Sequence, residues 1–227
     1  MEIAPSLHAV TLRGAQGFLA CEREITLIDA GLSGSRRRLE RYLAGLGRSI
    51  GELHRIVVTH AHPDHIGGAH ELTVDTPAEV LMHPADIEGL GVGLREAWNE
   101  RDRHRLLAWF TRGPHRAIPV EDGDLIPALG GLRVVHTPGH TPGHICLYSE
   151  RERILFTGDM LQVMRGRVTF ASRFFSADLP QARASVARLA ALDVRMIAFA
   201  HYPPWTDDPN AALARLARRA EILAART

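Results

Sequence analysis

No lysine occurs anywhere in the chain, so all 27 of its basic side chains are arginines. That absence removes the Schiff-base amine, the lysine nucleophile and the phosphate-loop lysine from the chemistries open to it. Cysteine is nearly as scarce. Cys21 and Cys146 are the only two, each within an apolar run, where a small buried side chain is expected rather than a disulfide or a thiolate metal site. No apolar stretch is long enough to span a bilayer, and the opening M-E-I-A-P-S-L-H has neither a basic start nor an apolar signal core, so the expected location is the cytoplasm. A net charge of +1 leaves no electrostatic footprint for nucleic acid or a membrane surface. The expected partner is a small-molecule substrate, with a homodimer left open. The 45% apolar and 23% charged content over 227 residues suits a single globular domain with a full core.

Metal-type side chains, by contrast, are concentrated. Thr59 to Gly68 reads T-H-A-H-P-D-H-I-G-G, which puts His60, His62, Asp64 and His65 within six positions. Such side chains repel one another if charged and gain little by packing, so a metal ion explains them better than a core role or a histidine-rich surface loop. The preceding H-R-I-V-V-T (His54 to Thr59) is a β-branched run expected as a buried strand, and His65 to Leu72 is expected to begin a helix. Pro63 disfavours helix at Ala61 and His62, which leaves the cluster on the loop at the strand's C-terminal end. In extended backbone alternate side chains share a face, so His60 and His62 can share one ion, with Asp64 and His65 directed to a second position. Gly67 and Gly68 would let backbone pack closely behind.

The rest of the chain repeats this arrangement of apolar strands ending in polar donors. Leu7 to Asp29 reads as three short strands, the last (I-T-L-I-D) closing on a carboxylate that is costly to bury without a partner. Asp29 is therefore read as orienting a ligand histidine, a turn cap being the alternative. Ser35 is expected to cap an amphipathic helix through Leu46, with Leu39, Tyr42, Leu43 and Leu46 inward. Glu79 to His83 is a further strand, with His83 either facing the site or structural. Residues 89 to 117 mix Trp98, Trp109 and Phe110 with arginines and read as one or two inserted helices: a lid over the substrate, or an ordinary amphipathic helix or dimer contact. Strands are expected at Leu132 to His136, Ile145 to Ser149, Arg153 to Phe156 and Met196 to Ala200, and helices at Leu179 to Leu192 and Pro209 to Arg226. T-P-G-H-T-P-G-H holds His140 between two Pro-Gly pairs. His136 and His144 flank that loop at strand boundaries and are read as structural or supporting. Asp159 and His201 each follow an apolar strand.

Strands that carry donors at one end of a sheet form a single cleft. On this reading His60, His62 and His140 hold one ion, Asp64, His65 and His201 hold a second, and Asp159 bridges them. The mixed nitrogen and oxygen set suits two divalent ions, zinc first, with iron or manganese as alternatives.

With L-I-D-A-G, H-A-H-P-D-H, T-P-G-H, F-T-G-D and a late histidine in this order from about Leu7 to Tyr202, the chain resembles the metallo-β-lactamase superfamily. The resemblance implies an α/β fold, a four-layer αββα sandwich of two mixed sheets with outer helices, and a dinuclear site along one edge with the same ligand roles. The motif A-H-Y-P departs from the commoner G-H-G. The lack of a secretion signal and the presence of Asp159 set the chain apart from true β-lactamases. An ending one helix after His201 sets it apart from classical glyoxalase II, and the absence of arms or extra domains from RNA-processing relatives. What remains is the group of small bacterial hydrolases similar to glyoxalase II and the lactonases. A water shared by two ions loses its proton near neutral pH, Asp64 orients it, and an ester, thioester or lactone is the expected target. Trp98, Trp109, Phe110, Phe174 and Phe175 suggest an apolar substrate pocket. Arg165, Arg167 or Arg173 is placed to meet a carboxylate or simply to be solvated, and Tyr202 to supply a hydroxyl or to pack. The alternatives are a mononuclear-iron dioxygenase of the persulfide type, using His60, His140 and Asp159, and a β-lactam or phosphodiester hydrolase.

Overall fold

The computed structural model describes residues 1–90, 114 and 116–225. Two compact units are distinguished, Met1–Val120 and Glu121–Thr227.

The first unit is built on a mixed sheet. Its strands are β1 (Glu2–Ala4), β2 (Leu7–Thr11), β3 (Gln16–Cys21), β4 (Ile25–Ile28), β5 (Leu53–Val57), β6 (Glu79–Met82) and β7 (Ala117–Pro119), hydrogen-bonded in sequence order. β1 to β4 run antiparallel, and β4 to β7 run parallel. Parallel neighbours need crossovers. These are α1 (Arg36–Gly45) between β4 and β5, α2 (Pro63–Ile66) with α3 (Ala69–Thr73) between β5 and β6, and α4 (Pro84–Gly89) after β6. Leu39 and Leu43 of α1, with Ile66, Ala69 and Leu72, pack on Ile25, Leu27, Ile56, Val58 and Val80 of the sheet. Each such fully buried leucine or isoleucine stabilises the fold by about 1.5–3 kcal/mol. Phe18, Ile28 and Val57 alternate to the opposite face and are buried as well, which accounts for the nearly continuous apolar reading of these strands.

Local differences from the sequence expectation have specific causes. Ser35 does not cap α1 with its side chain. Its hydroxyl donates to Leu32 O at 2.7 Å, and Glu71 of α3 accepts from the Arg36 amide at 2.9 Å instead. Leu46 lies past the end of α1 and is exposed. The helix expected from His65 is two short ones, broken at Gly67 and Gly68. Ala117, taken as the end of an inserted helical stretch, begins β7, where it pairs with Val80.

The second unit holds β8 (Leu125–Ile126), β9 (Leu132–His136), β10 (Ile145–Ser149), β11 (Ile154–Phe156), β12 (Leu161–Met164), β13 (Arg167–Phe170), α5 (Leu179–Leu189), β14 (Met196–Ala198) and α6 (Pro209–Ala224). One sheet has the order β14-β11-β10-β9-β8, with β14 parallel to β11 and the other pairs antiparallel; β12 and β13 form a separate hairpin. α5 and α6 pack Val186, Leu189, Leu213 and Leu216 against Val135, Tyr148, Leu155 and Ile197 of the sheet and Val168 and Phe170 of the hairpin. Asp178 and Asp208 cap the two helices, accepting from Gln181 N and Ala211 N at 2.9 and 3.1 Å. Because β9 and β11 are both antiparallel to β10 and β11 is parallel to β14, the C-terminal ends of β9, β11 and β14 lie at one edge. The segments after those ends carry His140, Asp159 and His201.

Candidate metal centre

In the first unit the donors sit just past β5. Pro63 occupies the first turn of α2 and holds His62 extended, at φ −70° and ψ 147°, as a residue before proline prefers. His62 Nδ1 consequently comes within 3.0 Å of His60 Nε2. One helical position past Asp64, His65 Nε2 lies 3.8 Å from Asp64 Oδ2. The His60 and His65 rings are 4.0 Å apart between centroids, so the two donor pairs adjoin. His60, His62 and His65 are buried, whereas the Asp64 side chain keeps 31% exposure.

Asp29 organises this cluster from below. It is buried at the end of β4 with φ +59°, a left-handed conformation that aspartate tolerates better than most residues. Its carboxylate accepts from Thr59 N at 2.8 Å, from the Thr59 hydroxyl at 2.9 and 3.0 Å, and from His65 Nδ1 at 2.9 Å. An ionised carboxylate can only accept, so His65 carries its proton on Nδ1 and Thr59 donates its single hydroxyl proton to Asp29. The 3.1 Å contact from Thr59 Oγ1 to His60 Nδ1 is then a bond donated by His60. Both imidazoles thereby present Nε2 as a lone pair. The floor is stitched further by Ala30 N to His65 O and Gly68 N to Gly31 O, both 2.7 Å. A Cβ at Gly68 would lie 2.3 Å from Ala30 O, which explains why that position is glycine.

In the second unit His140 is buried on the loop after β9. Gly139 has φ +125°, and a Cβ there would stand 2.1 Å from Ala182 N of α5. The loop can reach α5 only through glycine, and Ser185 Oγ clasps Pro138 O at 2.8 Å. Ser176 donates to Ser172 O at 2.7 Å and therefore accepts from His140 Nδ1 at 3.3 Å, which puts the imidazole lone pair on Nε2. Asp159 offers one oxygen to each of two histidines: Oδ2 is 3.7 Å from His140 Nε2, and Oδ1 is 3.2 Å from His201 Nε2.

The donor chemistry fits divalent metal. Two nitrogens each about 2.0–2.1 Å from one tetrahedral zinc lie about 3.3 Å apart, close to the 3.0 Å between His60 Nε2 and His62 Nδ1. Histidine and aspartate are the donor types such an ion takes, and His60, His62, Asp64, His65, His140, Asp159 and His201 are all candidates for holding one. His136 and His144 are structural, bonded to Pro142 O at 3.0 Å and Thr137 Oγ1 at 2.9 Å. His83 accepts from Ala85 N and caps α4. Tyr202 sets its ring edge-on to Phe199 and packs on the core of its unit. Phe174 and Phe175 are 77% and 56% exposed, with the Arg173 guanidinium 5.5 Å from the Phe174 ring centre. Trp98, Trp109 and Phe110 lie outside the described residues. Thr59 and Ser176 support the histidines without having been singled out in the sequence. Thr59 alone stood inside a recognisable motif.

Residues 18–201 match the family model described as the metallo-beta-lactamase superfamily, a stretch that includes every donor named above. The chain belongs to that superfamily. Among curated relatives, the probable metallo-hydrolase YflN of Bacillus subtilis is 27% identical over 90% of this chain and 87% of its own length. A hydroxyacylglutathione hydrolase of Pseudomonas putida is 33% identical over 75% of this chain and 54% of its own. The matched stretch spans only 60%, 48% and 54% of the length of three such relatives. Among solved structures, the metallo-beta-lactamase family protein TTHA1429 of Thermus thermophilus superposes with a TM-score of 0.78 at 24% identity, over 97% of this chain and 81% of that one. TTHA1623, solved in a di-iron-bound form, gives 0.68 at 28% identity over 92% and 98%. These superpositions match the α/β architecture of mixed sheets and helices described above.

Proposed function

We propose that this superfamily member is a dinuclear-metal hydrolase of small ester-type substrates, a thioester or lactone first, with His60, His62 and His140 for one ion, Asp64, His65 and His201 for the other, and Asp159 for both. The observation that carries the reading is the division of Asp159, one carboxylate oxygen towards His140 and the other towards His201, which is what a bridging carboxylate requires. Two bound divalent ions, zinc foremost, would supply an activated water and a Lewis-acid contact for a carbonyl oxygen.

The chain's own groups then have distinct tasks. Asp29 holds the proton of His65 on Nδ1 directly and that of His60 through Thr59. Asp64, whose side chain keeps 31% exposure, accepts a hydrogen bond from the attacking water and receives its proton at a carboxylate oxygen. No protein nucleophile is needed. Cys146 is unsuited to that role, because burial pushes its thiol up to about 12. Phe174 and Phe175 offer an exposed apolar surface to the acyl or ring portion of a substrate, and Arg173 a cation beside it. The hydroxyacylglutathione hydrolases among the relatives support an acyl substrate.

Elemental analysis of freshly purified protein, paired with turnover of thioesters, lactones, a β-lactam and a phosphodiester, tests this. About two metal ions per chain with turnover of a thioester or lactone is expected. One iron per chain without hydrolysis would replace the proposal with the dioxygenase reading built on His60, His140 and Asp159.

A further inference from the structure

Asp86 is a buried carboxylate with no part in the chemistry above. It lies in the first turn of α4, 3% exposed, and its Oδ2 accepts from the amide of Ala61 at 2.9 Å. Ala61 is the residue between His60 and His62. On the other side of His60, the Thr59 amide donates to Asp29 Oδ1 at 2.8 Å. Both amides that flank His60 are therefore held by carboxylates, one from the end of β4 and one from the helix that follows β6. β4 and β6 are the two neighbours of β5 in the sheet.

The last ladder bond from this stretch to β6 is Val58 N to Leu81 O at 2.9 Å. Beyond it the ladder does not continue among the described residues, and carboxylates meet the Thr59 and Ala61 amides instead. An ordinary loop would leave such amides to water. Carboxylates are costly to bury, and this one stands under the peptide joining two ligand histidines. We infer that Asp86 is a positioning residue for the His60 and His62 pair: by fixing the Ala61 peptide it holds the two imidazole nitrogens at their 3.0 Å approach before an ion arrives.

The inference rests on the metal-centre reading, and wild-type protein provides the control that separates the two. The test is titration of metal-free full-length protein with Co²⁺ alone, reading affinity and the visible absorption of the bound ion, with circular dichroism of the metal-free state as the check on folding. Wild-type protein that takes up no Co²⁺ overturns the metal centre and this inference together. Given wild-type uptake, Asp86→Ala is expected to fold, to bind about 10–100-fold more weakly, the usual cost of removing a residue that supports ligands, and to give an altered spectrum. Asp86→Asn keeps a side-chain oxygen for the Ala61 amide and is expected to recover most of the affinity and the wild-type spectrum. Unchanged Co²⁺ binding in Asp86→Ala overturns the inference. So does an Asp86→Asn variant as weak as Asp86→Ala, which would make the charge rather than the hydrogen bond decisive, or an Asp86→Ala variant that does not fold, which would make Asp86 a folding residue.

Discussion

Asp64 and Asp29 are separated by burial, and their substitutions should differ accordingly. Asp64 keeps 31% side-chain exposure, against 2% for Asp29. Asp64→Ala is expected to fold normally and lose about 10²–10⁴-fold in kcat/KM, the range for removing a general acid or base, as measured by steady-state hydrolysis beside a thermal melt. Asp29 is fully engaged, so Asp29→Ala strands the Thr59 amide and lets both histidine tautomers drift; the melt and the metal affinity should fall together. The thiols give a second residue-level check. Burial pushes Cys146 up to about 12 and raises the half-buried Cys21 as well, its neighbour Arg48 only partly offsetting that. At pH 8 a disulfide reagent should therefore titrate at most one thiol, slowly, in the native protein and two after guanidinium; two rapid native thiols would contradict the burial. The donors themselves were legible in the sequence because spacing and residue type coincide in H-A-H-P-D-H, and Asp29 because a carboxylate ends an apolar strand. Asp86 was not, since P-A-D at a helix start reads like any acidic first turn, and only the fold brings it to the amide of Ala61 in the loop after β5.

At the scale of elements, α5 is tied to the edge of its sheet by charge. Arg188 in its last turn donates to both oxygens of Asp122, at 2.8 and 2.7 Å, and to His136 O at 2.8 Å, while Asp122 also accepts from His136 N at 2.8 Å. Partial burial alone would raise the Asp122 pKa, but the Arg188 guanidinium and the His136 amide outweigh it and leave it lowered. A folded-state pKa below the unfolded value of about 3.9 means the pair stabilises fully above that pH and loses its contribution as pH falls through the folded pKa. Both side chains are nearly half exposed, so Asp122→Asn should cost under about 1 kcal/mol at pH 7, with the urea-midpoint difference from wild type shrinking below about pH 4. A difference that persisted to pH 2.5 would assign the effect to packing instead. Most strands were legible from their β-branched runs, and α5 and α6 from capping aspartates followed by amphipathic spacing. The β12–β13 hairpin was not, because its turn places Arg165 at φ +50° before Gly166 at φ +70°, where asparagine or aspartate is the usual signal. The helix after Pro63 was overextended for a related reason. In the sequence Gly67 and Gly68 read as letting backbone pack closely, which the approach of Ala30 O to Gly68 bears out, but not as the break between two helices.

For the molecule as a whole, the proposed donors run from His60 to His201, so the unfolded chain contains no preformed set and any ion bound by the folded protein stabilises it by linkage. A site with free ion at 100 times its Kd contributes about 2.7 kcal/mol. For a chain of this length each kcal/mol moves the melting temperature by about 2–4 °C. Stripping one ion should thus lower the melting point by about 5–11 °C, and stripping both by roughly twice that, with recovery on adding zinc. Elemental analysis of the same samples decides the meaning of the result. A melting point unchanged while the metal content falls from two to zero would show that the ions bind without coupling to the fold, and that bonds within the protein, those of Asp29, Thr59, Ser176 and Asp86 among them, hold the histidines at the strand ends. A stepwise fall, one increment per ion, would instead show that each half of the donor set is completed only by its metal, and Asp64→Ala should then abolish one increment and leave the other.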